Sequence, residues 1–224
     1  MALSRFTMNS QTKNLLLVSL LCAVIAASAV WIYRSRQVEE YEPRLQVQNL
    51  IGEALAAETI KALDGKGSVV IVTLEEGESS ELDTHAEVFE EALKKTSIKI
   101  VRTYSVSGDK SSKYGPGSGM SGRRFAKVVE KYPNVDAIIS FVGVPDPDDD
   151  EMKELKDKPL PKFLAFTRSP KHLQELLDKK WIQAAVSTRF QFPAPGPEKP
   201  KTPQQWFDKN FQIVRLDTPA GTLN

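Results

Sequence analysis

The 224-residue sequence has little of what metal, redox or disulfide chemistry requires, since it contains one cysteine and two histidines. The single Cys22 lies within an apolar run, which excludes an intrachain disulfide and a cysteine-based metal site. The charge is balanced, with 30 basic and 29 acidic residues. No basic stripe with interleaved aromatic residues is present, so we predict that nucleic acid is not a partner.

The two histidines give no support to catalysis. His85 and His172 fall on predicted helices or at their starts, and neither has a cysteine nearby. A Ser/His/Asp arrangement would also lack a recognisable nucleophile elbow. We therefore interpret both histidines as surface residues, and we predict a non-enzymatic protein without a cofactor or a metal ion.

The N-terminal part contains one long hydrophobic run. Residues 14–33 include no charged side chain, and they are about as many as an α-helix needs to cross a ~30 Å hydrocarbon layer. Trp31 and Tyr33, followed by two arginines, are typical of a membrane interface. After a polar leader at residues 1–13, we predict a single transmembrane helix over 14–33. It would hold the rest of the protein on the periplasmic side of a bacterial cytoplasmic membrane.

A cleaved signal peptide is the competing interpretation, because residues 27–29 satisfy the small-residue cleavage rule. Apolar residues continue through Ile32, which favours an uncleaved anchor. Ser19, Ala23 and Ala27 share one helix face at four-residue spacing, and small residues in this pattern let a second membrane helix approach closely. Alanine and serine are also common in membrane helices generally, so both explanations of this spacing stay open.

From residue 46 onward, apolar runs of strand length alternate with amphipathic helical patterns. The runs are apolar on both faces, which predicts a mainly parallel sheet covered by helices on both sides, a Rossmann-like doubly wound α/β sandwich. Gly65 marks the turn from the first amphipathic helix into the first strand. The predicted strands are 68–74, 98–106, 135–142, 162–166 and 182–187, and the predicted helices between them are 80–95, 121–132, 148–156 and 170–179.

These patterns also divide the chain into segments. A juxtamembrane linker at residues 34–45 leads into an α/β lobe at residues 46–191. Residues 192–205 contain five prolines and are predicted to be an extended tether rather than a helix. Residues 206–224 form the C-terminal part, in which a strand over 211–214 is expected to dock on the sheet edge.

Several segments of the lobe look like parts of one known family. The Gly-Lys-Gly turn that leads into the first strand in that family is matched at residues 65–67. The family's Gly-Phe-x-x-Ala-Leu-like helix element is matched at residues 88–93. A helix-to-strand segment is matched at 125–139, and the last strand, helix, turn and strand at 163–166 and 176–186. Over roughly residues 46–190 the chain thus resembles the second lobe of the type I periplasmic solute-binding proteins, a sugar-binding family whose lobe also occurs in bacterial repressors.

Two features depart from that family. The family holds its ligand between two lobes, whereas we expect no first lobe between the predicted membrane helix and Gly67, which leaves an open surface. The family also places an Asn-Asp pair after the third strand and an aspartate after the fourth. Here those places are occupied by residues 141–145, Phe-Val-Gly-Val-Pro, and by Thr167-Arg168. The resemblance therefore does not carry sugar binding over to this chain.

Ligands of open α/β sheets bind outside the carboxyl ends of the strands. Seven polar residues fall at such places and are our ligand-binding candidates: Glu75, Glu76, Ser105, Ser107, Thr167, Arg168 and Arg189. Arg168 is the sharpest candidate, because a guanidinium between a strand end and a helix start could hold a carboxylate or phosphate through two hydrogen bonds. The alternative is a solvated or ion-paired loop arginine.

Two further motifs have ordinary explanations. Residues 115–124 superficially resemble a phosphate-binding loop, but Arg123-Arg124 stands where lysine followed by serine or threonine is required. They fit a flexible loop, or anion binding at a helix N-terminus. The acidic residues 146–151 lack the glycine and final glutamate of an EF-hand, and we interpret them as the start of a helix.

From these observations we predict a membrane-anchored, non-enzymatic accessory or interaction subunit built on one solute-binding lobe. Its expected partners are the lipid bilayer and a protein, either in a membrane complex or as a homo-oligomer. The alternative is a component that binds or senses a small molecule, a sugar or a carboxylate, with the second lobe supplied by another chain.

Overall fold

The structure is a computed structural model that describes residues 10–107, 119–146, 150–155, 158–169, 172–189 and 200–217. The side chains of residues 10–17 and 34–44 are not described. The chain divides into two compact units, Met1–Arg44 and Leu45–Asn224. The second unit contains the whole sheet.

The first helix, α1, covers Ser10–Ala62. In its C-terminal part Ile51, Leu55 and Ala56 are buried, as the helical spacing of apolar residues predicts. The helix also covers residues 34–45, for which the sequence predicts a linker. The proposed segment boundaries stay predictions.

The apolar part of α1 has its side chains exposed, among them Leu20 at 63% and Trp31 at 72%. Nevertheless, no helix in the described part of the chain is both long enough and apolar enough to cross a membrane. The structure therefore does not support the transmembrane helix predicted over residues 14–33. The first four residues of that prediction lie outside the side chains that the structure describes.

The lobe is built on a six-stranded sheet with the order β2-β1-β3-β4-β5-β6. The first five strands are parallel, and β6 pairs antiparallel with β5 at the edge. This confirms a mainly parallel sheet and the docking of a C-terminal strand on it. The strands are β1 Lys66–Leu74, β2 Ser97–Val106, β3 Ala137–Ser140, β4 Lys162–Thr167, β5 Ala184–Thr188 and β6 Phe211–Arg215.

Helices cover both faces of the sheet. On β4, the Phe163 ring lies 4.9 Å from Phe125 of helix α3 (Gly122–Lys131), whereas the Phe166 ring lies 4.8 Å from His85 of helix α2 (Ser80–Leu93). Residues three apart on a strand point to opposite faces, so α2 and α3 lie on opposite sides. The helices are α2 Ser80–Leu93, α3 Gly122–Lys131, α4 Asp150–Glu154, α5 Leu173–Asp178 and α6 Pro203–Asn210.

The core follows from the strands that are apolar on both faces. Val69, Val70, Ile71 and Val72 are consecutive on β1, and all four are fully buried. The same holds for Ala137–Ile139 on β3. Consecutive residues of a strand point to opposite faces, so both faces of these strands are covered, as expected of a sheet with helices on both sides.

The turn from α1 into β1 depends on glycine. Gly65 has φ of 72° and Gly67 has φ of 128°, a region that other residues rarely adopt. A Cβ atom on Gly67 would lie 2.9 Å from Oδ2 of Asp136. That oxygen accepts hydrogen bonds from the backbone N and from Oγ of Ser68, both at 2.7 Å. The predicted turn at Gly65 is present, and it is tied to the residue that precedes β3.

Helix α6 differs from the extended tether predicted over residues 192–205, of which positions 192–199 lie outside the described residues. Pro203 occupies the first turn of α6, and the Thr202 hydroxyl caps the helix by accepting from the Gln205 N–H at 3.2 Å. Proline is well tolerated in a first helical turn, because the N–H that it lacks would have no partner there. The prediction of an extended chain through residue 205 is therefore wrong at its C-terminal end.

Candidate functional site

The carboxyl ends of the parallel strands meet at one edge of the sheet. We call the residues that follow β1 to β5 at this edge, 75–79, 107, 141–146, 168–169 and 189, the carboxyl-end ledge. The chain leaves β1 toward β2 on one side and leaves β3 toward β4 on the other. This reversal is a topological switch point, the place where open α/β sheets bind ligands.

The switch point is filled by apolar side chains of the chain itself. Phe141, Val142 and Val144, which follow β3, are 0%, 2% and 5% exposed. The polar Ser140 at the end of β3 is also buried, and its hydroxyl donates to the carbonyl oxygen of Gly143 at 2.6 Å. This segment occupies the place where the resembled family has its Asn-Asp pair. These buried side chains therefore offer no exposed polar group to a ligand at the end of β3.

Four of the candidate residues lie at the exposed side of the ledge. Glu75 and Glu76 follow β1 and are exposed, and so are Ser105 and Ser107 at the end of β2. The two strand ends are joined by the Glu75 backbone N–H, which donates to the Val106 carbonyl oxygen at 3.1 Å. The structure thus brings these four residues to neighbouring strand ends. A role in ligand binding stays a prediction.

Arg168 follows β4 and is paired within the lobe. Its Nη2 donates to the carboxylate of Glu81, in the first turn of α2. The Arg168 side chain is 36% exposed and that of Glu81 is 30% exposed. The carbonyl oxygen of Arg168 accepts a hydrogen bond from the Thr188 hydroxyl at 2.7 Å. This arrangement matches the ion-paired alternative that the sequence left open.

The two remaining candidates, Thr167 and Arg189, make hydrogen bonds to backbone carbonyl oxygens. Thr167 is fully buried, and its hydroxyl donates to the Ser169 carbonyl oxygen at 2.9 Å. Arg189 is exposed, and its Nε donates to the carbonyl oxygen of Phe211 on β6 at 2.9 Å. Both therefore satisfy backbone groups at strand ends. Their predicted ligand contacts stay predictions.

His85 lies beneath the ledge, and its prediction as a surface residue is wrong. The side chain is fully buried, with its ring 4.8 Å from Phe166 and 6.4 Å from Phe141. Nε2 contacts the side-chain oxygen of Gln48 on α1. Nδ1 has no hydrogen-bond partner among the described residues. Burial lowers the pKa of His85 to about 4, so the ring is neutral at pH 7.

The sequence contained a signal for this burial that the prediction did not use. His85 follows Leu82 by three positions and precedes Phe89 by four. Leu82 and Phe89 belong to the inward stripe of α2 and are fully buried. A residue at that spacing shares their face of the helix.

His172 directly precedes α5 and is partly buried. Its Nε2 is 3.9 Å from the Asp146 carboxylate and its Nδ1 is 3.9 Å from that of Glu175. In the described residues, no group of three or more histidine, cysteine or acidic side chains could hold a metal ion. His172, Asp146 and Glu175 therefore form a small cluster of one histidine and two acidic side chains.

A second surface feature lies at the amino ends of the parallel strands, opposite the carboxyl-end ledge. It is a depression of about 450 Å³ lined by Leu63, Asp64, Lys66, Gly67, Asp136 and Lys162. Nζ of Lys162 donates to the Ala62 carbonyl oxygen at 2.5 Å, at the C-terminus of α1. A lysine at this end of a helix satisfies a free carbonyl and the helix dipole. These contacts have a structural explanation, and the depression is away from the switch point.

The other sequence motifs are only partly described. Positions 115–118 of the glycine-rich loop lie outside the described residues, but Ser121 caps α3 by accepting from the Arg124 N–H at 3.4 Å. Asp150 opens α4 and pairs with Lys153 at 2.8 Å, whereas positions 147–149 are outside the described part. Ser19, Ala23 and Ala27 are exposed on α1. Packing of a second helix against them stays a prediction.

No protein-family model matches the chain, and no curated protein matches it. Solved structures do match. A sugar-binding protein of a sugar ABC transporter from Bacillus halodurans is 18% identical with a TM-score of 0.51, over 76% of this chain and 62% of that chain. The protein XylFII is 15% identical with a TM-score of 0.50, over 75% of this chain and 60% of that chain.

A further similar structure is an ABC transporter solute-binding protein from Burkholderia graminis C4D1M in complex with D-arabinose. It is 24% identical with a TM-score of 0.47, over 63% of this chain and 47% of that chain. The chain thus spans between 47% and 62% of the length of these three proteins. The matches with TM-scores of 0.51 and 0.50 show that the lobe has the periplasmic binding protein fold and corresponds to one lobe of it. The predicted resemblance is confirmed at the level of the fold.

Proposed function

We propose that this protein is a non-enzymatic binding protein, in which a single solute-binding-type lobe docks on a second protein through its carboxyl-end ledge. The observation that supports this most is the apolar filling of the switch point by Phe141, Val142 and Val144. The surrounding Glu75 and Glu76 face solvent. At the switch point, buried apolar residues are surrounded by exposed charged residues. Such a surface is better suited to a broad contact with a protein than to binding a polar solute in a deep pocket.

The charges on the ledge define how such a contact would behave. Exposed Glu75 and Glu76 lie at one strand end and exposed Arg189 lies three strands away in the sheet order. Charges at the rim of an interface mainly steer association, and their effect falls as the salt concentration rises. We therefore expect the complex to form more slowly at high ionic strength.

The test is the mass of the purified full chain in mild detergent, measured by size-exclusion chromatography with light scattering. A dimer or a stoichiometric complex is expected, well above the 24.9 kDa of one chain. Glu76→Arg, on the ledge, should weaken the complex. Lys95→Glu, an equally exposed change at the opposite edge, should leave it intact. A monomer at all concentrations would contradict the proposal.

A second candidate function is the binding of a small molecule at the ledge, with the other side of the cleft supplied by another chain. It is favoured by Arg168, a partly exposed guanidinium at a strand end. A thermal-shift screen with sugars and carboxylates tests it, because a ligand at 100 times its Kd stabilises a fold by about 2.7 kcal/mol. The shift should disappear in Arg168→Ala. Equal shifts in both proteins would argue against this candidate.

We also propose that residues 14–33 attach the lobe to the cytoplasmic membrane with the lobe on the periplasmic side. The run has no charged residue, and Leu20, Ile25 and Trp31 within it are exposed. Carbonate extraction should leave the full chain in the membrane fraction, and protease added to spheroplasts should digest the lobe. Mass spectrometry of the mature N-terminus distinguishes the anchor from a signal peptide cut after Ala29. A chain recovered in the soluble fraction would exclude anchoring.

A further inference from the structure

We propose that the protein docked on the carboxyl-end ledge is a second copy of this chain, related by a two-fold axis that sets the β1 end of each ledge against the β5 end of the other. The inference rests on the proposed docking function of the ledge and names its partner. The distribution of exposed charge along the row of strand ends supports it.

One end of the row is acidic. Glu75 and Glu76 directly follow β1, and both are exposed. The Glu75 N–H donates to the Val106 carbonyl oxygen at 3.1 Å, and the Glu78 N–H donates to the Glu75 carbonyl oxygen at 3.1 Å. These backbone hydrogen bonds hold the two glutamates at the end of the sheet, with their side chains in solvent.

The other end of the row is basic. Arg189 follows β5 and is exposed. Its backbone N–H donates to the Asn210 carbonyl oxygen at 2.7 Å, and its Nε donates to the Phe211 carbonyl oxygen at 2.9 Å. These bonds fix the base of the guanidinium without using its outer Nη1 and Nη2 groups, which also donate to carboxylates. Arg168, between the two ends, is already paired with Glu81 inside the lobe.

The two ends are too far apart to neutralise each other. In the order β1-β3-β4-β5 they are separated by three strand spacings, which is roughly 14 Å at ~4.8 Å per strand. The Debye length at 0.1 M ionic strength is about 10 Å, so exposed charges at this separation are largely screened from one another. Each end can therefore pair at short range with a charge on another molecule.

Charge selects one of the two-fold arrangements. Two identical ledges with aligned rows of strands can face each other in two ways. If the axis runs along the row, the β1 end of one copy meets the β1 end of the other, and the glutamates repel each other. If the axis runs across the row, each β1 end meets a β5 end, and Glu75 and Glu76 face Arg189 on both sides of the axis. Only the second arrangement pairs opposite charges.

The ledge is large enough for a modest dimer interface. Five strand ends at ~4.8 Å span roughly 19 Å, and a sheet with one helix layer on each face is roughly 30 Å thick. Two such surfaces bury about 1,200 Å² in total, which is the lower end of the range for specific interfaces. We therefore expect a dimer whose affinity depends on its charged contacts and falls as the salt concentration rises.

The experiment measures the mass of the full chain in mild detergent by sedimentation velocity over a range of protein concentrations. The original protein should form a dimer, with twice the 24.9 kDa of one chain. Glu76→Arg and Arg189→Glu should each raise the Kd about a hundredfold, because symmetry introduces two repulsive contacts of about tenfold each. Lys95→Glu, exposed at the amino end of the sheet, is the control and should leave the Kd unchanged.

A mixture of Glu76→Arg with Arg189→Glu tests the arrangement itself. In the mixed dimer both contacts again join opposite charges, so the mixture should dimerise although neither variant does so alone. Recovery of the dimer would also show that both variants are folded. Arg189→Gln keeps a side-chain donor near the Phe211 carbonyl oxygen and should raise the Kd about tenfold. It replaces Arg189→Glu if that variant does not fold.

The inference is overturned if either charge reversal dimerises as tightly as the original protein, or if the mixture of folded variants stays monomeric. A dimer of Glu76→Arg with the original protein, but not with Arg189→Glu, would indicate an axis along the row and overturn it as well. An original protein found only in a complex with a different protein would overturn the inference and leave ledge docking in place. A monomer under every condition would contradict both.

Discussion

The two ends of the parallel sheet are held in different ways. At the amino end, side chains bind backbone groups at short distances: the Asp136 carboxylate accepts from Ser68 at 2.7 Å, and the Lys162 ammonium donates to the Ala62 carbonyl oxygen at 2.5 Å. At the carboxyl end, Glu75 and Glu76 are exposed. The Glu81–Arg168 pair there is about one-third exposed.

This difference separates the part of the lobe that fixes the fold from the part that is available for binding. Contacts between side chain and backbone at the amino end determine how α1 enters β1 and how β3 begins. The exposed charges of the ledge contribute little to stability, because solvent screens them. Surface loops on a rigid scaffold are where binding residues concentrate.

His85 should make the lobe sensitive to mild acid from beneath the ledge. Burial lowers the pKa of His85 from the ordinary 6.5 to about 4. Between these two pH values the histidine is protonated in the unfolded chain but neutral in the folded protein. The free energy of unfolding should therefore fall as the pH drops from 6.5 to 4, by about 3 kcal/mol in total. Urea unfolding at several pH values measures it. His85→Leu should lose this slope, and His172→Asn should keep it.

Glycine substitutions at the two ends of the sheet should differ in their cost in stability. Gly67→Ala places a Cβ atom 2.9 Å from an Asp136 oxygen at a φ of 128°, and we expect it to cost about 2 to 3 kcal/mol of stability. Gly77 also has a positive φ, of 84°, but no atom lies within 4 Å of its added Cβ. Gly77→Ala should cost only about 1 kcal/mol. Equal costs, measured by thermal or urea unfolding, would show that the turn into β1 is not specially constrained.

The ion pair at the amino end of the sheet should contribute more to stability than the ion pair at the carboxyl end. Glu58 on α1 is 8% exposed, and it accepts from Nε and Nη2 of Arg215 on β6 at 2.7 and 2.6 Å. These hydrogen bonds raise the pKa of Arg215. Glu58→Gln should cost about 2 kcal/mol, because it removes a largely buried carboxylate that accepts two hydrogen bonds from Arg215.

The corresponding change at the ledge, Glu81→Gln, should cost less than about 1 kcal/mol, because both partners are one-third exposed. Hydrogen exchange adds a local measurement. In Glu58→Gln, the amides of β6 should exchange faster while those of β3 remain protected. A uniform change over the whole sheet would mean that the pair acts on global stability and not on the edge strand.

The smallest effect is expected at Asp136. Hydrogen bonds from the Ser68 hydroxyl and backbone lower the pKa of the Asp136 carboxyl from its ordinary 3.8. The stabilisation from this carboxylate is therefore present above pH 3.8 and is lost as the pH falls below that value. Because Asp136 is exposed, it should amount to less than about 1 kcal/mol. Asp136→Asn should flatten the stability curve below pH 3.8 and leave the histidine-dependent slope above pH 4 unchanged.

The helices and strands were predictable where one local pattern dominated. The apolar run at 68–74 predicts β1, which extends over Lys66–Leu74. Helix α6 was missed because the prolines of the preceding segment suggested an extended chain, whereas Pro203 starts a helix that Thr202 caps. The propensity of a single residue type was given more weight than its position in the helix.

The site was less predictable than the fold. The sequence placed Arg168 at a strand end correctly, but it could not show that Glu81, 87 positions away, occupies it. The same holds for His85 and Gln48, which meet because α1 and α2 pack on one face of the sheet. Contacts of this kind depend on the crossing of elements and not on the spacing within one of them.

Apart from α6, the sequence alone determined the succession of strands and helices along the lobe and the glycine turn into β1, because these follow from hydrophobic periodicity and from backbone conformations that only glycine adopts readily. It also determined that no polar pair follows β3. The tertiary structure decided that Phe141, Val142 and Val144 turn inward and close the switch point, and that Arg168 meets a carboxylate of its own chain. The physical reason is that burial and ion pairing depend on which surfaces meet after folding.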